Sequence, residues 1–429
     1  MMTRMQKRAT LLLIPALVLS SSLLLYGNGA KAGMDPERLA RIPIRMKAFV
    51  DEGTVAGVVT LVARHGVIAS LDAVGYQDLE TKKPMKTDSI FQIMSMTKPV
   101  VAVAIMMLVE EGKVAVSDPV EKHLPEFRGL WMNASKPGEK ERRQVRPPRA
   151  ITLRDLLTHT SGMIAGLPEG IGELYTKMHL TLAEAVAIYS QQPLDFEPGT
   201  KWQYSNPGIA TLGRVIELAS GQPFEKFLSE RIFQPLGMKD SFLFVPQDKI
   251  DRIAMVYKRA DGKLQRSGGD ILGGDPSQYR KGSKYSAPEF GLYSTASDLA
   301  ALYQMMLNGG TYNSKRLLSR ASVNLMTSLH TGSIEPAGHS TGMGYGLAWT
   351  VVRDPLGTLQ LQSEGSYGHG GAFGTQGWVD PQKDLGSFLD PAKCRRCARR
   401  KQCLQGHGCC SDCGVAILRA YPPGIALLG

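Results

Sequence analysis

The chain has 429 residues, 43% hydrophobic and 21% charged, an ordinary globular composition long enough for two or three domains or one large domain with an inserted subdomain. Its formal net charge of +11 is unevenly spread: from Phe388 onward seven Lys/Arg stand against two Asp, so +5 falls in the last 42 residues. The +6 left on the body forms no basic stripe with interleaved aromatics, which argues against a nucleic-acid partner.

The N-terminus carries Arg4, Lys7 and Arg8, then an apolar run from Leu11 to Leu25, then Ala30-Lys31-Ala32. A positive start, an apolar stretch and a small-x-small site predict a cleaved export signal over residues 1–32 and an exported, periplasmic or secreted, protein. The run falls short of the ~20 apolar residues a spanning helix needs, so no stable membrane insertion is expected.

The apolar spacing of "MDPERLARIPIRMKAFVDEG" predicts a helix. "GVVTLVARHGVIASLDAVGYQD" reads as two β-rich runs joined at Arg64-His65-Gly66, an antiparallel hairpin. "PVVAVAIMMLVEEGKV" is apolar nearly all round, hence a buried helix closing near Gly112. From Pro119 to about Pro288, helical patterns alternate with Gly/Pro-rich connectors. "STASDLAALYQMMLNGG" is helical behind a Ser/Thr/Asp cap, and "MGYGLAWTVVRD", "TLQLQSEGSYGHGG" and "TQGWVDPQKDLG" return to β and turn chemistry. The expected architecture is α/β (α+β): an antiparallel sheet flanked by helices, with an inserted, mainly helical subdomain. Residues 33–90 and 289–388 form the sheet domain, and 91–288 form the helical part.

Three stretches carry chemistry. Ser95-Met96-Thr97-Lys98 opens the buried helix, and residues three apart share one helix face, so Lys98 projects beside Ser95. A serine hydroxyl needs a base within hydrogen-bond reach, and a helix N-terminus offers free N–H groups and a positive dipole end. Read alone, the pattern also fits an incidental lysine at a helix start. Tyr204-Ser205-Asn206 lies between Pro198-Gly199 and Pro207-Gly208, a tight turn that can aim a phenol and a carboxamide into one cleft. Tyr204 equally fits a packed aromatic and Asn206 a turn residue. His369-Gly370-Gly371-Ala372 precedes a β run; glycines in a strand mark close backbone approach, and Ala372 is the natural source of an oxyanion-hole N–H. His369 reads either as a substrate-orienting group or as a loop histidine.

The order Ser-x-x-Lys, Tyr-x-Asn, His-Gly-Gly resembles the serine β-lactamase and penicillin-binding-protein superfamily. "ITLRDLLTHTSGM", "FEPGTKWQYSNPGIATLGRVIE" and "GLYSTASDLAALYQMMLNGG" resemble its class C-like branch, which includes family VIII carboxylesterases, and the similarity runs from about Met46 to Gly386. The resemblance implies a β-lactamase/transpeptidase-like fold and a serine hydrolase working through an acyl-enzyme on a small-molecule ester or amide. It implies Ser95 as nucleophile, Lys98 and Tyr204 sharing the base role, and the Ser95 and Ala372 N–H groups as oxyanion donors. Asn206, His369, Gly370 and Gly371 then line the substrate site. No metal or organic cofactor is implied. Relatives specialised for β-lactams or stem peptides usually carry a lysine where this chain has His369. A mostly neutral imidazole there favours neutral esters over carboxylate-bearing substrates.

All six cysteines fall between Cys394 and Cys413, in a tail at 389–429 where Arg and Cys replace the expected β-branched residues. Cys394-x-x-Cys397, Cys410-x-x-Cys413 and His407 resemble zinc-site spacing, and an exported chain could instead form disulfides. The abrupt break in composition points first to a frame-shifted end of the gene, which would leave the sheet short of a strand.

Overall fold

The computed structural model describes residues 29–134, 143–267, 283–358 and 361–391. The expected hairpin forms from strands Gly57–Arg64 and Val67–Asp78, paired antiparallel. Its two turn residues, His65 and Gly66, both take positive φ (53° and 72°), the two-residue turn whose twist matches that of the strands.

Eight strands make one sheet in the order Met343–Tyr345, Thr350–Val352, Tyr367–Gly370, Gln376–Asp380, Leu385–Pro391, Gly57–Arg64, Val67–Asp78, Lys83–Pro84, each antiparallel to its neighbour. Strands from the two ends of the chain therefore meet at its centre, where Val58 lies opposite Pro391 and Arg64 opposite Leu385. Both sheet faces are covered. On one, Met46 and Phe49 of helix Arg41–Asp51 pack with Val55 and Val58. On the other, Val59 and Leu61 join the main core with Leu299, Leu302 and Met306 of helix Ala296–Leu307. Burial on two faces explains why "GVVTLVA" is nearly continuously apolar rather than alternating.

Helix Thr97–Glu110 runs through the main core, with every residue from Thr97 to Leu108 buried. Each buried Val, Ile, Leu or Met contributes roughly 1.5–3 kcal/mol, enough to offset the ~1–2 kcal/mol cost of fixing each backbone residue. The helix closes at Gly112 (φ 69°), where the Lys113 N–H donates back to the Leu108 carbonyl at 3.0 Å. Helices Leu153–Leu157, Leu182–Tyr189 and Asn206–Ser220 pack in the same region. The sequence reading missed two small antiparallel pairs there: Met132–Asn133 with Gln144–Val145, and the hairpin of Tyr257–Ala260 with Lys263–Arg266, which turns at Asp261-Gly262.

The sheet runs into the start of the anomalous C-terminal tail, and whether a further strand is missing lies outside the described residues. Leu385–Pro391 pairs with Gln376–Asp380 and with Gly57–Arg64, so ladder pairing continues three residues past position 388. Its central place follows from two partners being available to it, whatever the composition beyond. The cysteines and His407 lie outside the described residues, as do positions 1–28 of the predicted export signal. Among the described residues no helix is long and apolar enough to cross a membrane.

Candidate active site

The chain leaves the short strand Phe91–Gln92, which pairs with Tyr293–Ser294, and turns sharply into the buried helix. Met94 makes that turn with φ 52°, a left-handed conformation that costs a non-glycine residue of order 1 kcal/mol, and it sets Ser95 in a single 3₁₀ turn ahead of Thr97. The turn is pinned from outside. The Thr97 hydroxyl donates to the Met94 carbonyl at 2.7 Å and accepts from the Leu292 N–H at 3.1 Å, while the Ile93 N–H donates to the Leu292 carbonyl at 2.9 Å.

Ser95 is half-buried and Lys98 is 0% exposed. The Lys98 Nζ donates to Ser95 Oγ at 3.0 Å and to the Glu289 carbonyl at 2.7 Å, and lies 4.6 Å from the centre of the Tyr204 ring. The three residues expected to act together are thus within one contact shell.

Tyr204 precedes helix Asn206–Ser220, which Ser205 caps by accepting from the Gly208 N–H at 3.1 Å. The Ser205 hydroxyl also donates to the Ile164 carbonyl at 2.7 Å, and its N–H donates to His159 Nδ1 at 3.2 Å. His159 itself stands at φ 58°, and its ring is 4.4 Å from that of Tyr204. The stretch "THTSGM" therefore shapes the Tyr204 turn. Asn206 is half-buried, and its Oδ1 is buried without a hydrogen-bond partner.

His369 and Gly370 end strand Tyr367–Gly370. A Cβ built on Gly371 would lie 2.3 Å from the Ile93 carbonyl oxygen and 2.1 Å from Thr375 Oγ1, so the glycine-lined edge touches the backbone two residues before Ser95. Thr375 Oγ1 donates to the same Ile93 carbonyl at 2.9 Å. Ala372 follows directly, half-buried and packed on the main core.

His369 is 2% exposed, and its partners fix its tautomer. Nδ1 lies 2.7 Å from the Gly370 carbonyl, which can only accept, so Nδ1 carries the proton; Nε2 then accepts from the Tyr345 hydroxyl at 2.9 Å. Burial, aided by the nearby Lys98 charge, pushes its pKa down to about 3. Burial and Lys98 likewise push His339 down to about 4 and hold His159 well below the usual range. All three imidazoles are thus held neutral, each within reach of the Lys98 charge. Tyr345, His159 and His339 were not singled out from the sequence. "HTSGM" was the one available signal, because ring contacts such as Tyr204–His339 (4.7 Å) join residues far apart in the chain.

A family model described as Beta-lactamase matches residues 45–389. The chain belongs to that family. Within the Beta-lactamase family it is 31% identical to esterase EstB of Burkholderia gladioli over 391 residues, covering 83% of this chain and 93% of that one. It is 28% identical to the lovastatin esterase of Penicillium rubens over 334 residues, covering 76% and 80%. Among solved structures it resembles EstCE1, a hydrolase with promiscuous acyltransferase activity, with TM-score 0.72 and 25% identity, covering 83% of this chain and 94% of that one. The fold is β-lactamase/transpeptidase-like, and the protein is a serine hydrolase.

Proposed function

We propose that the protein is a carboxylesterase of short-chain neutral esters, with Ser95 as its nucleophile. The observation that carries this reading is the 3.0 Å contact between a buried amine and the hydroxyl at a helix start. Ser95 Oγ attacks the ester carbonyl while its proton passes to the Lys98–Tyr204 pair. The tetrahedral oxyanion is held by the N–H groups of Ser95 and Ala372. Collapse expels the alcohol, which takes the proton, and water repeats the sequence on the acyl-enzyme to release the acid. Lys98 and Tyr204 titrate as a coupled pair in this scheme.

The preference for neutral esters rests on His369. An imidazole held neutral by burial offers no cation to a substrate carboxylate, and the esterase names among the relatives agree with it. Steady-state kcat/KM is expected to be higher for p-nitrophenyl acetate or butyrate than for nitrocefin; the reverse order would make the protein a β-lactamase. A product burst with no steady state would mark a penicillin-recognising protein that does not turn over, and cleavage of a D-Ala-D-Ala peptide would mark a cell-wall peptidase.

Export is the second proposal, supported by the basic, then apolar, then small-residue order at positions 4–32. Ala32 is fully buried against Met34, Leu39, Val62 and Ala69, so cleavage after it would have to precede folding. N-terminal sequencing of the protein from the cell envelope or medium should begin near Gly33; a protein that begins near Met1 refutes removal.

A further inference from the structure

The carbonyl that holds the Lys98 amine belongs to a residue whose own side chain is unusual. Glu289 is 0% exposed, and its carboxyl sits among three buried tyrosines. Tyr285 donates its hydroxyl to Glu289 Oε1 at 2.8 Å, and Tyr189 lies hydroxyl to hydroxyl with Tyr285 at 3.5 Å. Tyr175 is buried beside the same carboxyl and its hydroxyl pulls the carboxyl toward the ionised form, but neither that hydroxyl nor Glu289 Oε2 closes a well-aligned hydrogen bond. A carboxylate with an orphaned oxygen in such a site is costly to ionise, and a carboxylic acid is not. Burial accordingly pushes this carboxyl up to about 7, with the residue's own backbone N–H, the Tyr285 hydroxyl, the Lys98 charge and the Tyr175 hydroxyl pulling the other way. The groups that face it are therefore Tyr175, Tyr189 and Tyr285 from the helical side and Lys98 from the nucleophile helix.

We propose that Glu289 is a positioning residue that sets the protonation state of the Ser95–Lys98 pair: its neutral form leaves the amine free to accept the serine proton, and its ionised form traps the amine as ammonium. The geometry makes both halves of the coupling direct. The main-chain carbonyl of Glu289 fixes the amine at 2.7 Å, so a charge gained by the carboxyl of the same residue acts on a donor that cannot move away. The carboxyl and the amine then share protons as one system: the state with a neutral acid and a free amine competes with the state with carboxylate and ammonium at the same total proton count. Nothing in the reaction requires the carboxyl to touch substrate.

This inference rests on the acyl-enzyme reading above. The test is the pH profile of kcat/KM for p-nitrophenyl butyrate in the wild type and in Glu289→Gln, which keeps an acceptor for Tyr285 and can never ionise. The acidic limb of the profile is expected to move to lower pH by about one unit, the size of shift a nearby charge produces. Tyr285→Phe removes the hydroxyl that stabilises the carboxylate, so it should move the limb in the same direction by less, and it serves as the test if Glu289→Gln does not fold. Superimposable limbs, or a limb moved to higher pH, overturn the proposal. A purely structural role would lower the melting temperature and leave the limb in place. Wild-type protein that neither hydrolyses the ester nor labels with a fluorophosphonate would instead sink the acyl-enzyme reading, so the two failures are distinguishable.

Discussion

Ser95→Ala is expected to lose ester turnover by about 10⁴-fold or more, the scale seen when a nucleophile is removed from a unit whose members act together. The loss follows from chemistry, because the variant keeps the fold. Ser95 is half-buried and supplies one acceptor to Lys98, whose other acceptor, the Glu289 carbonyl at 2.7 Å, remains. The stability change should then be on the order of 1 kcal/mol, the net worth of one hydrogen bond. The measurement is kcat for p-nitrophenyl butyrate beside a thermal melt. Activity within tenfold of wild type would remove Ser95 from the mechanism; loss of activity together with loss of the cooperative melt would show only a broken fold.

Gly371→Ala should bring the second large loss, for a steric reason. The added Cβ would stand 2.3 Å from the Ile93 carbonyl oxygen, which is backbone and therefore cannot rotate out of the way. Thr375 is no easier to displace, since its hydroxyl is already bonded to that carbonyl at 2.9 Å. The edge carrying Ala372 must move off the Ser95 turn. Displacing one oxyanion donor costs about 10²–10³ in kcat, and the overpacking costs ~1–3 kcal/mol of stability. Gly172→Ala is the matched control, because nothing lies within 4 Å of its Cβ position and its φ is unstrained. A Gly371→Ala protein with a lowered melting temperature and an unchanged kcat would separate this edge from the reaction centre.

The carboxyl of Glu289 also affects stability. Its ordinary value is 4.5 and burial raises it to about 7, so the folded state holds its proton longer than the unfolded chain does. The stability tied to this group is therefore present below about 4.5 and lost as the pH rises through about 7.

What could be read from the residues was local. The Gly57–Asp78 hairpin announces itself because two β-rich runs flank a two-residue turn, and both turn residues adopt the positive φ that the turn requires. Ser95 and Lys98 are legible because three residues of helical spacing bring them together without help from the rest of the chain. The Tyr257–Arg266 hairpin was equally local, with Asp261-Gly262 at its turn, but it sits in a stretch whose connectors obscured it. What escaped was long-range. The Lys98 contact to Glu289 spans 191 positions, and a glutamate gives no local sign that it will be buried among tyrosines. Tyr345 sits in a run that reads correctly as β structure, and its hydroxyl meets His369 Nε2 only because His369 lies on a nearby strand of the same sheet. His159 lay within a recognised stretch, but its bond to the Ser205 N–H exists only once two separate segments are folded together.

The claim beneath all of this is that one serine oxygen, activated by the amine beside it, becomes acylated. Mass spectrometry of the wild-type protein after treatment with a fluorophosphonate reports on that oxygen directly. The account predicts a single adduct, mapped to the peptide containing Ser95 and prevented by prior incubation with a slowly hydrolysed ester. An adduct on a different residue, or an unmodified Ser95 in protein that still hydrolyses esters, would contradict it.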